Sequence, residues 1–291
     1  MLLIAIAVLF GASIFENRAS LINREEASAG KQTQPLRVYF LNVGQGDAIY
    51  IRTPYEQDIL IDGGPDNSVL SELGKVMPFW DREIDVMILT HPHNDHVTGL
   101  VEVLRRFKVN QIYYTGALHT APNYLAWLEE IKKQNLKLNI VQDFFEIKFS
   151  DDLKLQFLHP QKNLVNQSFK ELNDSSIVNR LVYRDLAYLF VGDAEESVEQ
   201  ELLKMKNDKK IELKSDVLKI GHHGSSSSSS ENFLNEVNPQ VAVIQSGLDN
   251  EFGHPRFKIL KRLERLSIKV LRNDLNGIIG VFTDGTNLIF N

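Results

Sequence analysis

Along this 291-residue chain the spacing of apolar and polar positions switches repeatedly between the two-residue period of strands and the 3.6-residue period of helices. Leu36 to Val43 and Ala48 to Arg52 are apolar, β-branched and aromatic runs on either side of Gly44-Gln45-Gly46-Asp47, which predicts a hairpin. Asp58 to Asp62 is a third short strand, running into the permissive turn Gly63-Gly64-Pro65. Val69 to Met77 reads as a helix stopped by Pro78, Ile84 to Leu89 as a buried strand, and Val97 to Phe107 as a helix with Leu100, Val101, Leu104 and Phe107 on one face. Gln111 to Thr115 is a strand, and Tyr124 to Lys133 a helix with Leu125, Leu128 and Ile131 facing inward. Further strands are predicted at Lys137 to Val141, Phe144 to Phe149, Leu153 to Leu158, Ile177 to Tyr183, Ala187 to Val191, Asp216 to Ile220, Val241 to Gln245, Ile278 to Phe282 and Asn287 to Phe290. The serine run Ser225 to Ser230 reads as a mobile loop, because strands resume after it. Arg256 to Arg272 carries Ile259, Leu260, Leu263 and Leu266 as a buried stripe under seven basic side chains, and reads as an amphipathic helix. Strands followed by helices, twice over, give an α/β chain with many short strands.

Composition adds limits more than direction. The apolar fraction of 43% and charged fraction of 24% are ordinary for a globular protein, and the net charge of −6 supplies no global basic field for nucleic acid. There is no cysteine, so neither a disulfide nor a thiolate ligand or nucleophile is available. The exception is the N-terminus. Leu2 to Phe15 is almost wholly apolar, shorter than the ~20 residues that span a bilayer comfortably, and lacks a basic leader. Three readings stay open there: a membrane anchor, a cleaved signal, or an amphiphilic tail of a cytosolic protein. Residues 1–35 are thus read as an apolar segment plus polar linker, and 36–291 as one large domain.

The chemistry concentrates at Thr90-His91-Pro92-His93-Asn94-Asp95-His96, where three of the eight histidines and an aspartate fall between a strand and a helix. The carboxyl edge of a sheet is where α/β folds place their sites. His91 and His93 can point one way, while Asp95 and His96 reach a second point nearby. Imidazoles with a carboxylate suit zinc and similar divalent ions. Asp62, at a strand end, is either a turn residue or the carboxylate that orients a ligating histidine. His159 closes a strand before Pro160 and is either a ligand or a surface histidine. Asp193, in Gly192-Asp193-Ala194-Glu195, is read as a ligand bridging two metals, against plain helix capping. In Gly221-His222-His223-Gly224 one histidine is expected to ligate and the other to face substrate. His119 belongs to no motif and is assigned to the surface or to local hydrogen bonding.

Taken in order, Val43-Gly44-Gln45-Gly46-Asp47-Ala48, Asp62-Gly63-Gly64, the His91 cluster, Gly192-Asp193-Ala194-Glu195, Gly221-His222-His223-Gly224-Ser225 and Gly253-His254-Pro255 resemble the metallo-β-lactamase superfamily. Within it they are similar to the C-terminal domain of the ComEC/Rec2 competence proteins, in a stand-alone form. The resemblance covers Leu36 to Asn291 and implies a four-layer αββα sandwich, two mixed β-sheets flanked by helices. It implies two divalent ions, zinc first and manganese second: His91 and His93 with His159 for one, Asp95 and His96 with His222 or His223 for the other, and Asp193 between them. His254 would lie at the mouth of the site; Asp95, His223 and His254 are the expected catalytic residues, and Ser225, Asn250 and Arg256 the expected substrate contacts.

The implied reaction is hydrolysis by a hydroxide shared between the metals. The first expectation is a phosphodiesterase or nuclease acting on DNA or another phosphodiester, at the cell envelope through the N-terminal segment. The basic stretch after Arg256 reads either as a solvated helix face or as a phosphate-contacting face. The alternatives are a lactone, thioester or β-lactam hydrolase, and a non-catalytic binding domain at the membrane.

Overall fold

The structure is a computed structural model that describes residues 34–291. In chain order its first half runs β1 (Leu36–Phe40), β2 (Ile49–Arg52), β3 (Asp58–Ile61), α1 (Ser68–Val76), β4 (Glu83–Ile88), α2 (Asn94–Arg106), β5 (Lys108–Tyr114), α3 (Pro122–Lys133) and β6 (Leu138–Ile140). The second half runs β7 (Phe145–Lys148), β8 (Leu153–His159), β9 (Val178–Tyr183), β10 (Leu186–Phe190), α4 (Glu196–Asn207), β11 (Val217–Lys219), α5 (Glu231–Val237), β12 (Val241–Ile244), α6 (Phe257–Arg265), β13 (Lys269–Arg272), α7 (Asn273–Asn276), β14 (Ile279–Thr283) and β15 (Leu288–Phe290).

The strands form two mixed sheets, ordered β15-β14-β1-β2-β3-β4-β5-β6 and β13-β12-β11-β10-β9-β8-β7. Alternation along each strand decides which layer it fills. In the first sheet Val38, Ile51, Ile59, Ile61, Val86 and Ile88 turn toward the second sheet, where they meet Leu155, Phe157, Tyr188, Phe190 and Val243. The intervening residues Tyr50, Leu60 and Met87 turn outward and pack under α1, α2 and α3 through Leu73, Leu100, Leu104 and Trp127. On the far side Leu189, Leu218 and Ala242 pack under α4, α5 and α6 through Val198, Phe233, Ile259 and Leu263. With both faces covered, the strands are apolar on both sides, and the result is helix, sheet, sheet, helix.

Parallel pairing runs through β3-β4-β5-β6 in one sheet and β10-β11-β12-β13 in the other. The carboxyl ends of β3, β4, β10, β11 and β12 carry Asp62, the His91 loop, Asp193, His222-His223 and Gln245. Between-sheet packing brings those loops to one edge.

Three sequence expectations change. The basic stretch is not one helix: α6 ends at Arg265, Ser267 turns at φ 57°, and Lys269–Arg272 forms β13 beside β12. The apolar residues Ile268, Val270 and Leu271 fit either period, and parallel pairing with Val241 to Ile244 decides it. In α3 the inward face is Tyr124, Trp127 and Ile131, leaving Leu125 47% exposed. The serine run is packed: Ser228 and Ser229 are buried, and the backbone N–H of Ser229 and of Ser230 donates to Glu199. No helix among the described residues is long and apolar enough to cross a membrane. The reading of Leu2 to Phe15 lies outside the described residues.

Candidate metal centre

Asp62 organises the site from just beyond β3. It sits in the left-handed region at φ 59°, which a short polar side chain tolerates. Its carboxylate accepts from Thr90 N at 2.8 Å and Thr90 Oγ1 at 2.7 Å, and faces His96 Nδ1 at 2.8 Å. That contact engages the Nδ1 proton and orients the ring so that Nε2 faces into the pocket. His93 caps α2 with extended backbone, and its carbonyl accepts from His96 N and Val97 N at 3.1 and 3.0 Å. Asp95 thereby occupies the first turn, where a helix favours negative charge. The turn fits only because Gly46 has no side chain: a Cβ there would drive into the Asp95 carbonyl.

Asp193 follows β10. Its Oδ2 lies 3.3 Å from His96 Nε2, 3.4 Å from His223 Nε2, and 3.9 Å from both His91 Nε2 and His222 Nε2. Asp95 Oδ2 stands 3.2 Å from His223 Nε2 and 3.9 Å from His96 Nε2. On the other side His91 Nε2 is 3.0 Å from His93 Nδ1, and the His91 and His96 rings are 4.2 Å apart. Ligating atoms of Asp95, His96, Asp193 and His223 all fall within 4.8 Å of one another, and those of Asp47, Asp62 and His96 make a second such group.

His222 and His223 share a short 3-10 turn, both left-handed at φ 47° and 53°. Each such residue costs about 1–2 kcal/mol, and the pair persists because it aims two rings at Asp193. His223 is buried, with Nδ1 donating to the Gln245 carbonyl at 2.9 Å. His222 is partly exposed and lies against Glu195 at 3.1 Å.

The remaining sequence candidates fall as follows. His159 is not in this group: its Nδ1 donates to the Ser176 carbonyl at 2.8 Å and its Nε2 is 3.6 Å from Glu201. The His254 ring sits 5.6 Å from that of His222, at the mouth. Ser225 bonds Ser227. Asn250 spends its side chain inside its own loop, on Gly247 and His254. Arg256 is exposed beside His254. His119 accepts locally from Ala121 N, and its ring lies 6.1 Å from that of His93.

Sequence reasoning missed two residues. Lys219 is fully buried; it pairs with Asp47, donates to the Gly192 carbonyl at 2.9 Å, and lies 3.7 Å from Asp193 Oδ1. Asp47 is also 3.2 Å from His223 Nδ1. The available signal was a lysine inside the apolar strand Asp216 to Ile220, since buried lysine is rare unless paired.

Burial opposes charge throughout, and the carboxylates overcome it. Asp193 with Asp62 and Asp95 holds His96 protonated well above the usual histidine range, and Asp193 with Asp47 does the same for His223. His223 and His96 hold Asp193 well below the usual carboxylate range. His91 and His93, desolvated and beside His96, stay neutral. The pocket therefore prefers positive charge at its centre. His96 Nε2 and Asp193 Oδ1 are buried without a hydrogen-bond partner. Imidazole and carboxylate donors converging on unsatisfied atoms fit a divalent cation, which would displace the imidazole protons on binding.

The sequence profile of the metallo-beta-lactamase superfamily matches residues 41–247. ComE operon protein 3 of Bacillus subtilis is 31% identical over 261 residues, spanning 83% of this chain and 32% of that protein. Competence protein ComA of Neisseria gonorrhoeae is 29% identical over 285 residues, spanning 94% of this chain and 35% of that protein. The chain thus spans about a third of the length of these relatives. Two solved structures share the fold. Tm1679, a metal-dependent hydrolase, aligns at a TM-score of 0.51 and 14% identity over 81% of this chain and 95% of its own. CmlA, a diiron beta-hydroxylase from Streptomyces venezuelae, aligns at 0.51 and 11% identity over 83% of this chain and 53% of its own. With the profile covering most of the described residues and the histidine and aspartate side chains gathered at one edge of the two sheets, the chain belongs to the metallo-β-lactamase superfamily.

Proposed function

We propose that this metal-dependent hydrolase cleaves phosphodiester bonds, with DNA as the leading substrate class, at a paired-metal centre. The observation that carries the substrate class is the rim: Arg256 and His254 stand beside the metal-ligand cluster, where a fixed cation and a neutral donor suit an anionic phosphodiester. The competence proteins among its relatives support nucleic acid, and an envelope setting, in the same direction.

In this reading His91 and His93 would hold one ion, Asp95, His96 and His223 would hold the second, and Asp193 would serve both. The mixed nitrogen and oxygen donor set favours Zn²⁺, with Mn²⁺ acceptable. When bound, such ions supply Lewis acidity and lower the pKa of water from about 15.7 to about 7. The rest is done by the chain. Asp62 and the Gln245 carbonyl fix the tautomers of His96 and His223. Arg256 orients the phosphodiester by charge. Burial, with His222, His223 and Arg256 nearby, pushes the His254 pKa down to about 4, so it is neutral at pH 7 and donates a hydrogen bond without carrying charge.

The test is hydrolysis of bis-p-nitrophenyl phosphate and of single- and double-stranded DNA by the full chain with added Mn²⁺ or Zn²⁺. Metal-dependent cleavage that vanishes in His93→Ala, with a higher KM for DNA in Arg256→Ala, is expected. Turnover of nitrocefin or a lactone with neither phosphodiester touched would transfer the assignment to carbonyl substrates.

A further inference from the structure

At the pole opposite the metal centre, Phe79 and Trp80 stand out from the molecule, 82% and 71% exposed, with their rings edge to face at 4.8 Å. They lie in the turn that enters β4, six residues of strand away from the loop that leaves toward His91, about 20 Å. Large aromatic side chains this exposed forgo the hydrophobic contribution that burial supplies elsewhere in the fold.

Two further features meet at the same pole. The first is charge. α2 ends with Arg105 and Arg106, α3 ends with Lys132 and Lys133, and Arg82 and Lys108 begin the strands beside them. The Lys108 N–H donates to the Arg82 carbonyl, the Arg82 guanidinium covers the Phe107 ring at 5.6 Å, and Gln134 ties α3 to the end of α2. These cations pair with acids set further in: Arg106 with Glu102, Lys108 with Glu83 and Lys133 with Glu130, the basic side chains 61%, 72% and 73% exposed against 20%, 31% and 7% for their partners. On a chain of net charge −6 the outer member of each of these pairs is the cation.

The second is the path of the chain. The described residues begin at Gln34 on this pole: Arg37 pairs with Arg52 across β1 and β2, and Arg52 reaches Asp81, next to Trp80, at 3.0 Å. β1 and β4 are three strands apart, about 14 Å. The apolar run Leu2 to Phe15 precedes that starting point in sequence.

We propose that this pole is a bilayer-facing surface, with Phe79 and Trp80 inserted at the interface of an anionic membrane and the basic side chains on its headgroups. Tryptophan prefers the interfacial zone, and cations near an anionic surface add to the attraction. The geometry turns the metal centre directly away from the membrane, so that substrate reaches it from the aqueous side.

The chain has two tryptophans, and Trp127 is fully buried under α2, so Trp80 reports alone on the surface. The experiment uses the full chain on vesicles of phosphatidylcholine with phosphatidylglycerol, whose acyl chains are brominated near the interface. Fluorescence is expected to fall by about half relative to unbrominated lipid, and the loss is expected to disappear in Trp80→Phe, an exposed and conservative change. With phosphatidylcholine alone or at high salt the quenching should weaken. A chain that sediments with the vesicles yet shows no bromine quenching of Trp80 overturns the proposal, and shielding of Trp80 from aqueous acrylamide without lipid would assign the surface to the N-terminal segment or a second copy instead. A chain that does not bind these vesicles at all overturns it equally.

Discussion

Two clusters of buried carboxylates sit at opposite ends of the first sheet, and they are built to different rules. At the far end Asp58 accepts from Tyr50 Oη at 2.6 Å and from Arg52 at 2.7 and 3.0 Å, Arg52 also reaches Asp81, and the Asp58 N–H donates to Asp85. Both Asp58 oxygens and the guanidinium are used. At the metal end, acids outnumber fixed cations, two histidines carry the balancing charge, and His96 Nε2 and Asp193 Oδ1 are left without a hydrogen-bond partner. A buried polar group without a partner costs about 1–3 kcal/mol, and here several are collected in one place. The closed cluster satisfies its own charges; the open one gathers imidazole and carboxylate donors of the kind that suit a divalent cation.

That contrast can be broken at either end. The largest effect is expected at the hub. Asp193→Ala should lower hydrolysis by about 10³-fold, as losing several kcal/mol of charge stabilisation implies, while the metal-free protein stays folded by circular dichroism. At the other end Arg52→Ala should do the reverse. It removes the cation that pairs with the buried Asp58 carboxyl and leaves that group short of a partner, at about 1–3 kcal/mol of stability, read by urea denaturation, with metal content unchanged. Equal activity losses in both variants would dissolve the distinction.

Smaller effects sharpen it. Asp62→Ala frees the His96 ring without removing a ligand, and should weaken metal affinity by about 10–100-fold, measured by competition with a chromophoric chelator. The smallest is a pH effect. Burial pushes the Asp58 pKa up to about 7 against Tyr50 and Arg52, which favour the ionised form. A carboxyl raised in the folded state binds its proton more tightly there than in the unfolded chain, so its contribution is full below the ordinary carboxylate range and is lost as pH rises toward 7. Asp58→Asn should flatten the fall in stability over that window, tracked by urea midpoints.

Much of this was legible from the residues. The strand β4 and the ligand loop after it stand out because an apolar run gives way to three histidines within six positions, and that density has few structural uses. Asp193 was legible as a carboxylate at a strand end. The alternation of Val38, Ile51 and Ile59 with Tyr50 and Leu60 gives strands covered on both faces, though not which strands pair. Tertiary contacts decided what local pattern left open. β13 looks helical until Val241 to Ile244 is beside it. Adjacent histidines on a strand would point apart, and only the left-handed turn at His222 and His223 brings both to Asp193. Asp47 and Lys219 escaped because their meaning lies in each other, across 172 positions of chain. His159 illustrates the converse: a histidine at a strand end, before proline, whose nitrogens face Ser176 and Glu201.

The central claim is that side chains from both sheets together hold metal. Elemental analysis of the purified full chain, after exposure to excess Zn²⁺ and removal of free ion, tests it most directly. The account predicts two divalent ions per chain, with at least one lost in Asp193→Ala and in His223→Ala while the fold persists. A chain that remains metal-free, or an Asp193→Ala variant that keeps its full complement, would contradict it.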